Sequence, residues 1–182
     1  MDQAPLHVAD AAAQEGEKAV KEEPEAAVDA PALKAGQSSA RCVMREERRD
    51  LFEVDSDFSL CHCVSKDLSM SAGIAVQFKK QFGGVDQLSA QQAQVGGMAV
   101  LKKGDRYIYN LVTKNKFSGK PCMSSLEASL RAMKAHIVEH GVHKLAMPKI
   151  GCGLDKLSWG AVSGTLLYVF DDCDIELLVC SI

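Results

Sequence analysis

Met147-Pro148-Lys149-Ile150-Gly151-Cys152-Gly153-Leu154-Asp155 joins two patterns of different period. Before it Leu145 and Met147 alternate as in a strand, and after it a helical pattern opens near Ser158. Two glycines flanking one small residue let the backbone turn sharply and present bare N–H groups, as close approach of a phosphate or ribose requires. Asp155 stands just past the loop, where a carboxylate faces whatever the loop holds. The same residues also fit a plain strand-to-helix connection with Asp155 as a capping residue, because a lone Gly-x-Gly is a weak motif.

Working outward, the flanking segments alternate between the two periods. Phe58 to Val64 reads as a buried strand leading to Met70-Ser71-Ala72-Gly73-Ile74-Ala75. From there Ile74, Phe78 and Phe82 fall on one helix face, stopped by Gly83-Gly84. A helix start preceded by small residues is a ready anion site, and equally an ordinary helix start. A second short helix spans 85–93, and Met98–Leu101 with Tyr107–Val112 form a hairpin around Lys102-Lys103-Gly104-Asp105. Lys114 lies where the second hairpin strand ends. Ser124 and Glu127 predict a capping box for the helix whose stripe is Leu126, Leu130, Met133 and Ile137, with Gly141 as its stop. Trp159, Val162, Leu166 and Val169 mark a further helix, and 175–180 a closing strand. The Arg45-Glu46-Glu47-Arg48-Arg49 run after Cys42-Val43-Met44 lacks an alternating apolar pattern, so a strand there must be exposed. The order predicts an α/β domain of three layers, a mixed central sheet flanked by helices, with ligands at the carboxyl ends of strands.

Composition sets the bounds. With 182 residues, 47% hydrophobic and 25% charged, the chain builds one globular core. Residues 1–40 carry eight acids against three lysines, net −5, which leaves the remainder at +2 within a whole-chain charge of −3. That remainder suits a small anionic ligand better than duplex DNA, for which a clustered basic face is expected. Rich in Ala, Glu and Pro and without an aromatic residue, 1–40 reads as a disordered acidic tail, leaving 41–182 as the folded domain. Within the tail, Val20-Lys21-Glu22-Glu23 fits a SUMO-attachment pattern, which also arises by chance in an acidic segment. Seven cysteines without a Cys-x-x-Cys pair or an N-terminal apolar run indicate a reducing compartment. Cys61-His62-Cys63 alternates across a strand and so does not converge on one ion; no metal and no cofactor are expected. No apolar stretch is long enough to span a bilayer, so no membrane partner is expected.

Taken together, Asp50-Leu51-Phe52, Ser59-Leu60-Cys61-His62-Cys63-Val64-Ser65, Ala72-Gly73-Ile74-Ala75, Lys79 to Gly84, Arg106-Tyr107-Ile108-Tyr109, Thr113-Lys114 and Met147 to Asp155 resemble a macrodomain. The similarity is to the branch that cleaves terminal ADP-ribose from proteins, and it runs from about residue 44 to the C-terminus. It implies an ADP-ribose pocket. Asp50 and Leu51 would lie beside the adenine, with Ile182 closing over the adenosine end. Ala72, Gly73 and Ile74, together with Lys149, Ile150, Gly151, Cys152, Gly153 and Leu154, would surround the pyrophosphate and distal ribose, with Ser65 nearby. Lys114 would be the nucleophile and Asp155 its proton partner; an amine attacks only when uncharged, so a neighbouring carboxylate must take its proton.

The resemblance implies an ADP-ribose glycohydrolase acting on mono-ADP-ribosylated acidic side chains and on O-acyl-ADP-ribose. The alternatives are a non-catalytic reader and an ADP-ribose 1″-phosphate hydrolase. The implied partners are ADP-ribose and mono-ADP-ribosylated proteins, with ADP-ribosylated nucleic acid and poly-ADP-ribose as further bearers. A monomer is expected, working in the nucleus, with the cytoplasm second, and in the DNA damage response. Two positions depart from the family pattern: Arg49 replaces a small residue, and Ser71 replaces a glycine. If position 71 needs positive φ, serine there costs about 1 kcal/mol and weakens ligand binding.

Overall fold

The computed structural model describes residues 41–182, so the acidic segment 1–40 and its Val20-Lys21-Glu22-Glu23 pattern lie outside the described residues. Six strands form one mixed sheet: β1 (Cys42–Arg48), β2 (Ser59–Ser65), β3 (Met98–Lys103), β4 (Arg106–Lys114), β5 (Lys144–Pro148) and β6 (Ile175–Ser181). Their order is β1-β6-β5-β2-β4-β3, parallel throughout except for the β3–β4 hairpin. Four helices cover it: α1 (Ile74–Phe82), α2 (Val85–Ala90), α3 (Met123–Glu139) and α4 (Trp159–Phe170). The expected three-layer arrangement is the one observed.

Period-2 alternation deals the strand side chains to two cores. Cys61, Leu111, Leu177 and Val179 pack with Leu126, Leu130, Met133 and Ile137 of α3 and Val162 and Leu166 of α4. Leu60, Val64, Ile108, Val112 and Leu178 face the opposite way, with Phe78 and Leu88 from α1 and α2. His62 goes to that second layer and stacks on Phe78 at 3.8 Å, so the cysteines on either side of it point away from its ring. No helix among the described residues is long and apolar enough to cross a membrane.

Both sheet edges are blunted. At β1 the Arg/Glu run is half-exposed, as its pattern predicts, and Arg45 reaches across to Glu176 of β6 at 2.7 Å. Charged side chains on an edge disfavour pairing with another chain. At β3 the side-chain amide of Gln91 copies a neighbouring strand, donating to Val100 O and accepting from Val100 N–H, each at 2.8 Å.

Helix α3 starts earlier than the sequence suggests. Its N-cap is Cys122, whose N–H donates to the Ser125 hydroxyl at 3.3 Å, so the Ser124–Glu127 capping box does not form. The Ser125 hydroxyl also lies 2.8 Å from Thr113 O, a tertiary tie to the end of β4 that local spacing does not reveal. Glu127 pairs instead with Arg131 one turn on, at 2.7 Å.

The Nε2–H of His62 donates to Asn110 Oδ1 at 2.8 Å, an orientation assigned because the Asn110 amide N–H groups reach the carbonyls of Ala99 and Ile108. Burial drives its pKa down from 6.5 to about 4, against the smaller raising effect of Asn110. The folded state thus keeps the ring neutral while the unfolded chain binds a proton below 6.5. The resulting stability is present above pH 6.5 and is lost as pH falls towards 4, by about 3 kcal/mol in all. Urea denaturation at pH 7 and pH 4.5 should show a smaller fall for His62→Gln than for the wild type. Equal falls would put the acid sensitivity elsewhere.

Candidate active site

Strand β2 sits where the strand order reverses, with β4 on one side and β5 on the other. A crevice opens at such a point beyond the carboxyl ends of parallel strands. Here it is a cavity of roughly 460 Å³, within the range of small-molecule sites. The segment after β2 supplies Ser69 to Ala75, the end of β4 and the turn after it supply Lys114 and Phe117, and the end of β5 with the loop after it supplies Pro148 to Gly151 and Gly153 to Asp155.

Lys114 is the last residue of β4, and its carbonyl accepts from Lys66 N–H at 2.8 Å, which pins the strand end beside the loop after β2. Its Nζ meets Asp155 Oδ1 in a direct ion pair, and both side chains are 12% exposed. Beside them Cys63 forms part of the floor. Its thiol is pushed up to about 12, by desolvation first and by the charge of Asp155 second, so it stays protonated and does not compete as a nucleophile. Ser65 is buried and donates its hydroxyl to Asp67 Oδ1 at 2.5 Å. Asp67 is held below the usual carboxylate range chiefly by that bond.

The two loops approach each other across the cavity. Gly73 caps the amino end of α1 with φ +60, and a Cβ there would touch Leu154 of the facing loop at 3.4 Å. Gly151 has φ +70, and a Cβ would meet Leu157 Cδ1 at 2.8 Å. The turn is closed by Leu157 N–H to Gly151 O at 2.8 Å and Cys152 N–H to Lys149 O at 3.1 Å. Gly153 has open space where its Cβ would be. Gly151→Ala should therefore lower stability by about 1–3 kcal/mol through strain and overlap. Gly153→Ala should leave the melting temperature unchanged and weaken ADP-ribose binding measured by calorimetry. Unaltered affinity in Gly153→Ala would mean that no ligand closes on that glycine.

Of the residues singled out in sequence, Lys114, Asp155, Ser65, Ala72, Gly73, Ile74, Lys149, Ile150, Gly151, Gly153 and Leu154 line this one cavity. Cys152 belongs to the same loop but turns inward, its Sγ 3.3 Å from Ile150 O. Asp50, Leu51 and Ile182 stand near the carboxyl ends of β1 and β6, on the same sheet edge but outside the cavity lining. There Asp50 caps a short 3-10 turn, Leu51–Glu53, accepting from Phe52 N–H at 2.9 Å. Leu51 is 3% exposed and Ile182 92% exposed.

Ser71 is not among the positive-φ residues; Leu68 (φ 47), Met70 (φ 44) and Gly73 (φ 60) take the positive-φ positions of the segment after β2. The strain expected of a serine at position 71 is therefore absent. Arg49, the other departure, bonds Glu53 O at 3.0 Å on the outside of the 3-10 turn.

Two contributions escape sequence reading. Phe117 is 59% exposed at the mouth of the cavity, and its only signal is a lone aromatic in the polar run after Lys114. Glu46 on β1 accepts from Trp159 Nε1 at 2.6 Å and pairs with Lys149 at 2.9 Å, tying both ends of the loop that carries Asp155 to the edge strand. Nothing in the chain's local pattern links those three positions.

The geometry agrees with what the chain is similar to. The Macro domain family profile matches residues 61–165. The ADP-ribose glycohydrolase OARD1 of Homo sapiens is 52% identical over 130 residues, covering 71% of this chain and 86% of that protein. The DNA ADP-ribosyl glycohydrolase of Thermus aquaticus is 30% identical over 129 residues, covering 66% of this chain and 36% of that protein. Among solved structures, the macrodomain of Thermus aquaticus DarG superposes with a TM-score of 0.70 at 25% identity, covering 78% of this chain and 99% of that one.

Proposed function

This chain belongs to the macrodomain family, and we propose that it is an ADP-ribose glycohydrolase that frees mono-ADP-ribose from acidic side chains of modified proteins. The observation that carries this reading is the Lys114–Asp155 pair, nearly enclosed at the end of β4 inside the loop-walled cavity. A module that only binds ADP-ribose has no use for an amine and a carboxylate held against each other there.

In the reading proposed, the pyrophosphate lies between the amino end of α1, at Ala72 to Ile74, and the backbone of Ile150 to Leu154, where the helix dipole and the exposed backbone of the loop favour an anion. Lys149 stands at the lip, Ser65 flanks the distal ribose, and Asp50, Leu51 and Ile182 meet the adenosine where it extends past the cavity. Asp155 takes a proton from Lys114. The freed amine attacks the anomeric carbon of the distal ribose, forming an Nζ–C bond as the C–O bond to the side-chain carboxylate breaks and that carboxylate leaves with the electron pair. Water then displaces the lysine from the sugar, with Asp155 handling the protons, and ADP-ribose departs. O-acyl-ADP-ribose presents the same ribose ester and is a second substrate on this reading.

Incubation with a protein mono-ADP-ribosylated on aspartate or glutamate should release free ADP-ribose. Tight binding of the modified protein with no release would replace the enzyme with a reader.

A further inference from the structure

A hydrolase that cuts at the distal ribose must accommodate whatever carries the ribose, and on the proposed mechanism that group departs from the carbon that Lys114 attacks. A second cavity opens beside that lysine. It measures roughly 450 Å³ and shares Lys114 with the first. The segment 115–120 after β4 forms one wall; Val95 and the start of α3 form the others. The turn at 116–119, closed by Gly119 N–H to Lys116 O at 2.9 Å, folds back on the strand end. A Cβ at Gly119 would lie 3.8 Å from Lys114 Cβ.

The charge in this groove has one sign. Lys116 and Lys120 line it with Lys114, and no carboxylate does. Among the described residues neither Lys116 nor Lys120 forms an ion pair. The nearest carboxylates are hydrogen-bonded or paired to other groups: Asp155 to Lys114, and Asp67 to the Ser65 hydroxyl and, at 3.3 Å, to Ser69 N–H, with the charge of Lys116 acting on Asp67 only as a weaker, longer-range influence. An anionic segment leaving the first cavity would thus meet two cations that no salt bridge holds. No aromatic side chain lines the groove, so it lacks the stacking platform that single-stranded nucleic acid uses.

We propose that this groove receives the polypeptide around the modified side chain and selects segments rich in Asp and Glu. The inference rests on the hydrolase reading and names the substrate class for the same site.

The test uses the full chain and two mono-ADP-ribosylated peptides, identical except that Asp and Glu flanks are replaced by Asn and Gln. At low salt kcat/KM should favour the acidic peptide by roughly tenfold, through attraction that added salt screens. Lys116→Glu/Lys120→Glu should abolish or invert the preference, while the affinity for free ADP-ribose stays within about twofold, because neither lysine lines the first cavity. Equal turnover of both peptides by the wild type, or a preference that survives in the double variant, overturns the proposal. So does faster turnover of an ADP-ribosylated oligonucleotide that the double variant loses instead, which would assign the groove to nucleic acid. If neither peptide nor a simple acyl ester of ADP-ribose is cleaved, the hydrolase reading itself fails and the inference with it.

Discussion

Lys114→Ala is expected to bind ADP-ribose and release none of it from a substrate modified on an acidic side chain. On the proposed mechanism this removes the nucleophile, a loss that costs on the order of 10⁴–10⁶-fold in kcat. The phosphate loops are built from other elements, after β2 and β5, so ligand affinity measured by calorimetry should persist. Removing Lys114 also leaves Asp155, 12% exposed, without its cation, and part of any loss could be structural. Lys114→Arg separates the two effects. An arginine keeps a positive charge beside Asp155 but does not give up its proton, so it should restore the melting temperature without restoring turnover. Wild-type release of ADP-ribose by either variant would sink the lysine mechanism and leave direct attack by water.

Asp155→Ala should fail differently, because in the proposed mechanism the carboxylate acts before and after the covalent step. Loss of a proton-transfer group costs about 10²–10⁴-fold. Lysine attack can still proceed slowly when the amine sheds its proton to solvent, while release of the sugar is blocked. The variant should then accumulate ADP-ribose attached to itself. Intact-mass spectrometry after incubation with substrate would show the added mass, and peptide mapping should place it on Lys114. Cys63 and Ser65 line the same cavity and should be checked in the same map, since an adduct on either would reassign the nucleophile. An adduct that survives in the Lys114→Ala/Asp155→Ala double variant would do so as well.

The elements that position this pair were legible because their signals are local. A strand with its apolar residues at both parities, as at 59–65, says that both faces of the sheet are covered. The stripe Leu126, Leu130, Met133 and Ile137 identifies α3 because residues four apart share a face, and all four are buried. The glycines at 151 and 153 mark a turn between a strand and a helix, and the turn is there. The polar run at 45–49 announces an exposed strand, and β1 is the sheet's edge.

What the tertiary structure alone decided is how distant residues meet. Lys114 and Asp155 are 41 positions apart, and they touch because β4 and β5 flank β2, a strand order that no periodicity encodes. The same holds for Glu46, whose carboxylate holds Lys149 and Trp159 from 113 residues away in the latter case. It holds for the cap of α3, where a tie from Ser125 to Thr113 overrides the locally better Ser124–Glu127 spacing. In the loop that contains Ser71 the positive-φ conformations fall on Leu68, Met70 and Gly73 instead, which no local pattern of residue types announces. Hydrophobic period is a property of a segment and survives reading in isolation. Side-chain hydrogen bonds, charge pairing and loop conformation depend on which segments the packed sheet brings within a few ångströms of one another.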